Sequence, residues 1–151
     1  QQLLADLSLF EKEKNQSKLV NRFWLALIPE SKDAQIYCHK NQLITNDLGK
    51  EGYYLHVRPD SIIILANTNA GLLYGLQSLK QLIRHYQAKG AIPCLEITDF
   101  PAFKYRAVMD DISRGPLSNM QFLKTQIRRL AELKINVFTF YTKSYISWFF
   151  V

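Results

Sequence analysis

From Glu51 onward the hydrophobic and polar positions sort into recognisable elements. Tyr53, Leu55 and Val57 share one side of a strand, and Tyr54, His56 and Arg58 share the other, because successive side chains of an extended chain point to opposite faces. Pro59-Asp60 follows, with proline supplying the fixed φ of a tight turn. Residues 61–66 then run through Ile62-Ile63-Ile64-Leu65, a β-branched stretch. Two such strands with so short a connection predict an antiparallel hairpin. Leu72, Leu73, Leu76, Leu79, Leu82, Ile83 and Tyr86 recur at helical spacing and predict one broad apolar face. Asn67, Thr68 or Asn69 caps the start of this helix, and Gly90 follows its end. Residues 95–98 read as a short strand, after which Asp99-Phe100-Pro101 breaks the pattern.

The flanks are less regular. Leu3, Leu4, Leu7 and Phe10 have helical spacing, as do Leu19, Phe23, Trp24 and Leu27, although Phe23, Leu25 and Leu27 also alternate as a strand would. Pro29 opens a loop, and residues 35–39 read as a short strand. Gly71-Leu72-Leu73-Tyr74-Gly75 has the look of a glycine-rich loop, but it lies inside an amphipathic helix, where small residues let a helix approach a sheet closely. Beyond Phe100 the grammar changes. Residues 105–112 form a strand containing Ala107, Val108 and Met109. Ser118 and Gln121 make a capping box, and Met120, Leu123, Ile127, Leu130 and Leu133 follow with helical spacing. Asn136-Val137-Phe138-Thr139-Phe140-Tyr141 is a strand. Strand, helix and strand with short links predict a parallel βαβ unit with a right-handed crossover. One helix cannot cover both faces of such a sheet. With the apolar tail Tyr145-Ile146-Ser147-Trp148-Phe149-Phe150-Val151, this suggests the front part of a longer protein.

Composition narrows the class. Of 151 residues, 48% are hydrophobic and 21% charged, which excludes a disordered chain. No apolar run reaches the roughly 18 residues of a membrane span. The net charge is +6, but the basic residues are scattered and carry no nucleic-acid signature, so they read as a solvated surface and not a polyanion site. Cys38 and Cys94 form no CxxC and have no histidine at ligand spacing, so neither a metal nor another cofactor is expected. They either pair or remain two buried thiols. The three histidines, His39, His56 and His85, are far apart, and no nucleophile elbow, phosphate loop or dinucleotide fingerprint is present.

Asp110-Asp111-Ile112-Ser113-Arg114-Gly115 is the one cluster that carries candidate chemistry. It ends the first strand of the βαβ unit, and parallel α/β barrels bind ligands at the carboxyl ends of their strands. An arginine there can donate forked hydrogen bonds to sugar hydroxyls or to an anion. An Asp–Arg salt bridge that ties down a loop is the competing explanation. Adjacent acids on a strand face opposite ways, so Asp110 and Asp111 do not form a glycosidase pair.

Three stretches together resemble the front of glycoside hydrolase family 20, the β-N-acetylhexosaminidases. The first is Glu51-Gly52-Tyr53-Tyr54-Leu55-His56-Val57 with the strand after it. The second is Ala70-Gly71-Leu72-Leu73-Tyr74-Gly75-Leu76-Gln77-Ser78-Leu79-Lys80-Gln81-Leu82, continuing to Ile97-Thr98-Asp99-Phe100-Pro101. The third is Tyr105-Arg106-Ala107-Val108-Met109-Asp110-Asp111-Ile112-Ser113-Arg114 with Leu130-Ala131-Glu132-Leu133-Lys134-Ile135-Asn136-Val137. The resemblance implies an α+β fold in two parts. Residues 1–100 would be a non-catalytic domain, an antiparallel sheet with helices on one face. Residues 101–151 would be the first βαβ unit of an incomplete (β/α)8 barrel. It implies that Arg114 holds hydroxyls of a terminal N-acetylhexosamine, that Asp111 supports the site, and that hydrolysis is substrate-assisted and retaining. The Asp–Glu acid/base pair is implied on a later strand, so residues 1–151 hold no catalytic residue and the chain is expected to be inactive. An N-acetylhexosamine-containing glycan is the implied partner of the whole protein, and export to the periplasm or outside the cell is the implied location. Related N-terminal domains also precede other sugar-cleaving barrels. A non-catalytic module that self-associates or docks a partner through its apolar C-terminal segment is the alternative.

Overall fold

The computed structural model describes residues 22–114 and 118–142, together with the backbone of 146–150. The helical spacing over residues 3–10, the position of Gly115 and the side chains of the apolar tail lie outside the described residues. The chain divides into two compact units, Gln1–Phe100 and Pro101–Val151.

The first unit is built on a four-stranded sheet in the order β1-β3-β2-β4. The strands are β1 (Arg22–Leu27), β2 (Tyr53–Val57), β3 (Ser61–Ala66) and β4 (Leu95–Asp99). The expected hairpin is present: β2 and β3 pair antiparallel from Tyr53 opposite Ala66 to Val57 opposite Ile62. Arg58 and Ser61 close the turn with reciprocal backbone hydrogen bonds. β4 is antiparallel to β2, but β1 runs parallel to β3. The sheet is therefore mixed where a purely antiparallel one was expected. Of the two periodicities open for residues 22–27, the alternating one holds, because pairing with β3 satisfies the backbone of an extended β1.

Every residue of β2 and β3 is buried, so both faces of the sheet are covered. On one face, Tyr53, Leu55, Val57, Ile62, Ile64 and Ala66 pack against α2 (Asn69–Tyr86) through Leu72, Tyr74 and Leu79. On the other, Tyr54, Ile63 and Leu65 pack against Ala34 and Cys38 of α1 (Lys32–Lys40), with Ile28 and Leu48. Each large apolar side chain removed from water in this way contributes about 1.5–3 kcal/mol. Among the described residues the helices thus lie on opposite faces, not on one. The short strand expected at residues 35–39 is part of α1. Ser31 caps that helix by accepting from the Ala34 amide, Asp33 sits in its first turn, and Ala34 and Cys38 bury one stripe. These cues outweigh the β preference of Ile36-Tyr37.

α2 begins as expected, with Thr68 as the N-cap accepting from the Gly71 amide. Its buried stripe is narrower than the leucine pattern suggested. Gly71, Leu72, Gly75, Ser78 and Leu79 face the sheet, and Leu73 is exposed. The two glycines work by absence of a side chain, as anticipated. A Cβ on Gly75 would sit 2.5 Å from Ile64 Cγ2 and 3.1 Å from the Tyr53 ring, and one on Gly71 would collide with the Gly52 carbonyl.

The second unit holds β5 (Ala107–Asp111), α3 (Met120–Glu132), β6 (Val137–Tyr141) and β7 (Ile146–Phe150). β5 and β6 are parallel with α3 between them in sequence, as the strand–helix–strand pattern predicts. β7 pairs antiparallel with β6, giving the order β5-β6-β7. α3 is capped by Asn119, whose Oδ1 accepts from the Phe122 amide at 2.8 Å, and not by Ser118. Arg106 and Asn136 lock the starts of the two parallel strands. The Arg106 amide donates to Asn136 Oδ1 at 2.9 Å, its Nε donates to the Lys134 carbonyl at 2.7 Å, and Asn136 Nδ2 donates to the Lys104 carbonyl at 2.8 Å.

Candidate functional site

The candidate cluster stands at the end of β5 opposite the Arg106–Asn136 lock, where the Ile112 amide donates to the Tyr141 carbonyl at 3.0 Å. Along β5 the side chains alternate, leaving Asp110 half-buried and Asp111 exposed on the opposite face. The Asp111 carboxylate accepts from both the amide and the hydroxyl of Ser113. These two bonds favour its charged form and hold the carboxyl below its ordinary range. Asp111 therefore folds the first turn of the loop after β5. Arg114 lies exposed three residues further along the same loop. No hydrogen bond or ion pair joins Asp111 to Arg114 among the described residues, so the salt-bridge explanation of the cluster does not apply. The strand end thus presents a guanidinium on a loop anchored by a carboxylate, an arrangement that can donate forked hydrogen bonds to a polyhydroxyl ligand.

The first unit contains two polar assemblies that the sequence pattern did not single out. In one, the buried Tyr53 hydroxyl donates to Asp99 Oδ2 at 2.9 Å and lies 2.6 Å from Ser78 Oγ. This joins β2, β4 and α2 through their side chains. In the other, His56 is 2% exposed and its Nδ1 lies 2.9 Å from the Tyr37 hydroxyl of α1. Glu96 Oε1 is 3.8 Å from the same nitrogen and 3.8 Å from Arg58 Nη2. Burial, with Arg58 nearby, pushes the His56 imidazole below its ordinary pKa, while Glu96 opposes the shift. The alternation of β2 was the sequence signal available for His56; the register that sets it opposite Glu96 is seen only in the folded sheet. Cys38 is buried, Cys94 is exposed, and both are free thiols. Among the described residues no three His, Cys, Asp or Glu side chains gather as a metal site. No helix among them is long and apolar enough to cross a membrane.

These features define a two-unit α+β protein: a helix-covered mixed sheet, then a parallel strand–helix–strand whose first strand ends in the Asp111–Arg114 loop. Residues 3–100 match glycosyl hydrolase family 20, domain 2, and the chain belongs to that family. It is 37% identical over 93 residues to N,N'-diacetylchitobiase from Vibrio harveyi, a match covering 61% of this chain and 10% of that protein. It is likewise 37% identical over 89 residues to β-hexosaminidase subunit beta from Entamoeba histolytica, covering 58% of this chain and 16% of that one. The chain thus spans a small part of the length of these relatives. The structure resembles the β-N-acetylhexosaminidase of Streptomyces coelicolor A3(2), with a TM-score of 0.54 and 31% identity over 62% of this chain and 20% of that one. A fold likeness at 22% identity and TM-score 0.58 to the Streptomyces plicatus enzyme extends over 82% of the chain and 30% of that one.

Proposed function

We propose that this chain is the N-terminal part of a glycosidase that removes terminal N-acetylhexosamine from glycans by substrate-assisted, retaining hydrolysis. Residues 101–151 are then the opening of its catalytic (β/α)8 barrel. The observation that carries this reading is the placement of Arg114 just past the carboxyl end of a parallel strand, where barrels of this kind bind their ligands, in a chain of family 20. Support also comes from the fold likeness over 82% of the chain, which takes in more than its first 100 residues. Met109, Met120, Phe122 and Leu133 are exposed, as in a barrel segment awaiting its neighbouring strands and helices. The antiparallel β7 is the feature that a completed barrel would have to replace, since its strands all run parallel.

In this reading Arg114 donates to hydroxyls of the terminal sugar and Asp111 holds the Arg114 loop through Ser113. The acetamido group of the substrate supplies the nucleophile, which is why a second nucleophilic carboxylate is not required. The proton donor to the leaving oxygen belongs to later barrel strands, so residues 1–151 alone bind weakly and do not turn over. Relatives of this kind are compatible with an exported parent.

The test compares this chain with the reading frame extended past Val151, using a chromogenic N-acetyl-β-glucosaminide. The extended protein is expected to hydrolyse it and the 151-residue chain is not. Arg114→Ala in the extended protein should lower kcat/KM by about 10–1000-fold, the scale of losing a charged hydrogen-bonding contact. Turnover by the short chain, or an extended protein without activity towards any N-acetylhexosaminide, would overturn the proposal.

A further inference from the structure

The ends of the two parallel strands carry a second group that faces the way Asp111 does. β5 and β6 run in step, with Ala107 opposite Val137, Met109 opposite Thr139 and Asp111 opposite Tyr141. Partners across a ladder point to the same face of a sheet, and alternate residues along a strand return to it. Met109, Asp111 and Tyr141 therefore share one face, and Val108, Asp110, Phe138 and Phe140 share the other. On β5 the first set is exposed, Met109 by 64%, whereas Val108 and Asp110 are half-buried. The Met109 face is the open one. β6 is buried at Val137, Phe138 and Thr139, but Tyr141 at its end is 39% exposed. The ladder continues one step further, because the Ile112 amide donates to the Tyr141 carbonyl. The loop that runs on through Ser113 to Arg114 thus starts from the backbone of Tyr141 itself.

In a (β/α)8 barrel the helices form the outer ring, so the sheet face that they leave open is turned inwards, and side chains at the carboxyl ends of several strands surround the ligand. Tyr141 meets both conditions. It is the last residue of its strand, and it stands on the open face beside Asp111, one strand spacing of about 4.8 Å away. The antiparallel β7 pairs along the other edge of β6, with Ile146 opposite Tyr141. Replacing β7 by a parallel strand changes the partner within the plane of the sheet. It leaves the Tyr141 side chain projecting from the same face.

The chemistry of Tyr141 complements that of Arg114. A guanidinium reaches the hydroxyls around the rim of a pyranose but offers nothing to its apolar C–H face. An exposed aromatic ring presents a flat apolar surface of similar size, and removing both surfaces from water favours their contact. Resting on the reading of residues 101–151 as the opening of a barrel, we propose that Tyr141 is a substrate-contacting residue of the sugar site. Its ring is the platform for the apolar face of the terminal N-acetylhexosamine, while Arg114 takes the hydroxyls. The phenol oxygen is not needed for that contact.

The test uses the protein extended past Val151 and a chromogenic N-acetyl-β-glucosaminide, with competitive inhibition by free N-acetylglucosamine measured alongside. Each variant is first checked for a parent-like circular dichroism spectrum. Tyr141→Phe keeps the ring and should leave KM and the inhibition constant within about threefold of the parent. Tyr141→Leu keeps apolar bulk without the flat ring, and Tyr141→Ala keeps neither. Both should raise KM and the inhibition constant together by about 10–100-fold, with kcat changed far less, the pattern of lost uniform binding. A tyrosine that only filled space would be replaced by leucine without loss, so a parent-like Tyr141→Leu would overturn the proposal. So would a Tyr141→Phe as impaired as Tyr141→Leu, or a fall in kcat with KM unchanged. If Arg114→Ala is impaired while all three Tyr141 variants match the parent, the sugar site stands and the role of Tyr141 in it falls. If the extended protein turns over no N-acetylhexosaminide, both fall together.

Discussion

Gly75 and Gly71 show what single residues decide in this chain. Gly75→Ala puts a methyl group 2.5 Å from Ile64 Cγ2. One of these groups must move in a packed core, at a cost of about 1–3 kcal/mol, and the urea midpoint should fall accordingly. Gly71→Ala should cost at least as much, because the obstacle there is the Gly52 backbone, which cannot rotate away as a side chain can. The need for small residues was legible from the helical pattern. The identity of their neighbours was not, since Ile64, Tyr53 and Gly52 meet the helix only once the hairpin has formed. His56 illustrates the converse. Its alternation placed it on a strand, yet nothing local marked it as buried, because the group that covers it, Tyr37, comes from a segment that reads as extended by residue preference. Its depressed pKa has a definite sign in the stability. The unfolded chain takes up a proton near the ordinary histidine value, about 6.5, before the folded chain does. Stability is thus full above that value and declines as pH falls towards the folded pKa. Urea midpoints measured between pH 7.5 and 5.0 should fall in the parent chain and fall less in His56→Gln.

At the scale of elements, the caps decide where helices begin. Asn119→Ala removes the acceptor for the Phe122 amide and should destabilise α3 by about 1 kcal/mol. Ser118→Ala should change little, and thermal unfolding of the two variants separates the assignments. The sequence favoured Ser118 because Gln121 lies three residues on, at capping-box spacing. Asn119 carries the bond in the structure, and the two candidates are adjacent, so the residue types alone do not choose. Thr68→Ala should also cost about 1 kcal/mol, since Thr68 both accepts from the Gly71 amide and donates to the Lys50 carbonyl. The hairpin and α2 were readable because their signals are local. The parallel partnership of β1 with β3 was not, because it depends on the intervening chain returning to the same sheet.

For the molecule as a whole, the boundary after Phe100 and the parallel pair β5–β6 followed from a change in pattern, whereas the antiparallel β7 had no counterpart in it. Of the candidate site, the position of Asp111 and Arg114 at and just past the end of a strand was legible, but the Ser113 partnership that occupies Asp111 was not, because it is set by the turn geometry after the strand.

The parallel pairing of β1 also bears on how the chain reaches this state. The β2–β3 hairpin closes locally, but β1 must return to β3 across the whole of α1 and β2, and such distant contacts form late. Until they do, Ile62-Ile63-Ile64-Leu65 has one unpaired edge with little charge to deter a neighbouring molecule. A substitution that delays β1, such as Ala26→Pro in the strand interior, should therefore appear first as a refolding yield that drops as protein concentration rises. Light scattering during dilution from urea would record it, and the loss should scale with concentration because two molecules compete for an edge that one of them was meant to fill.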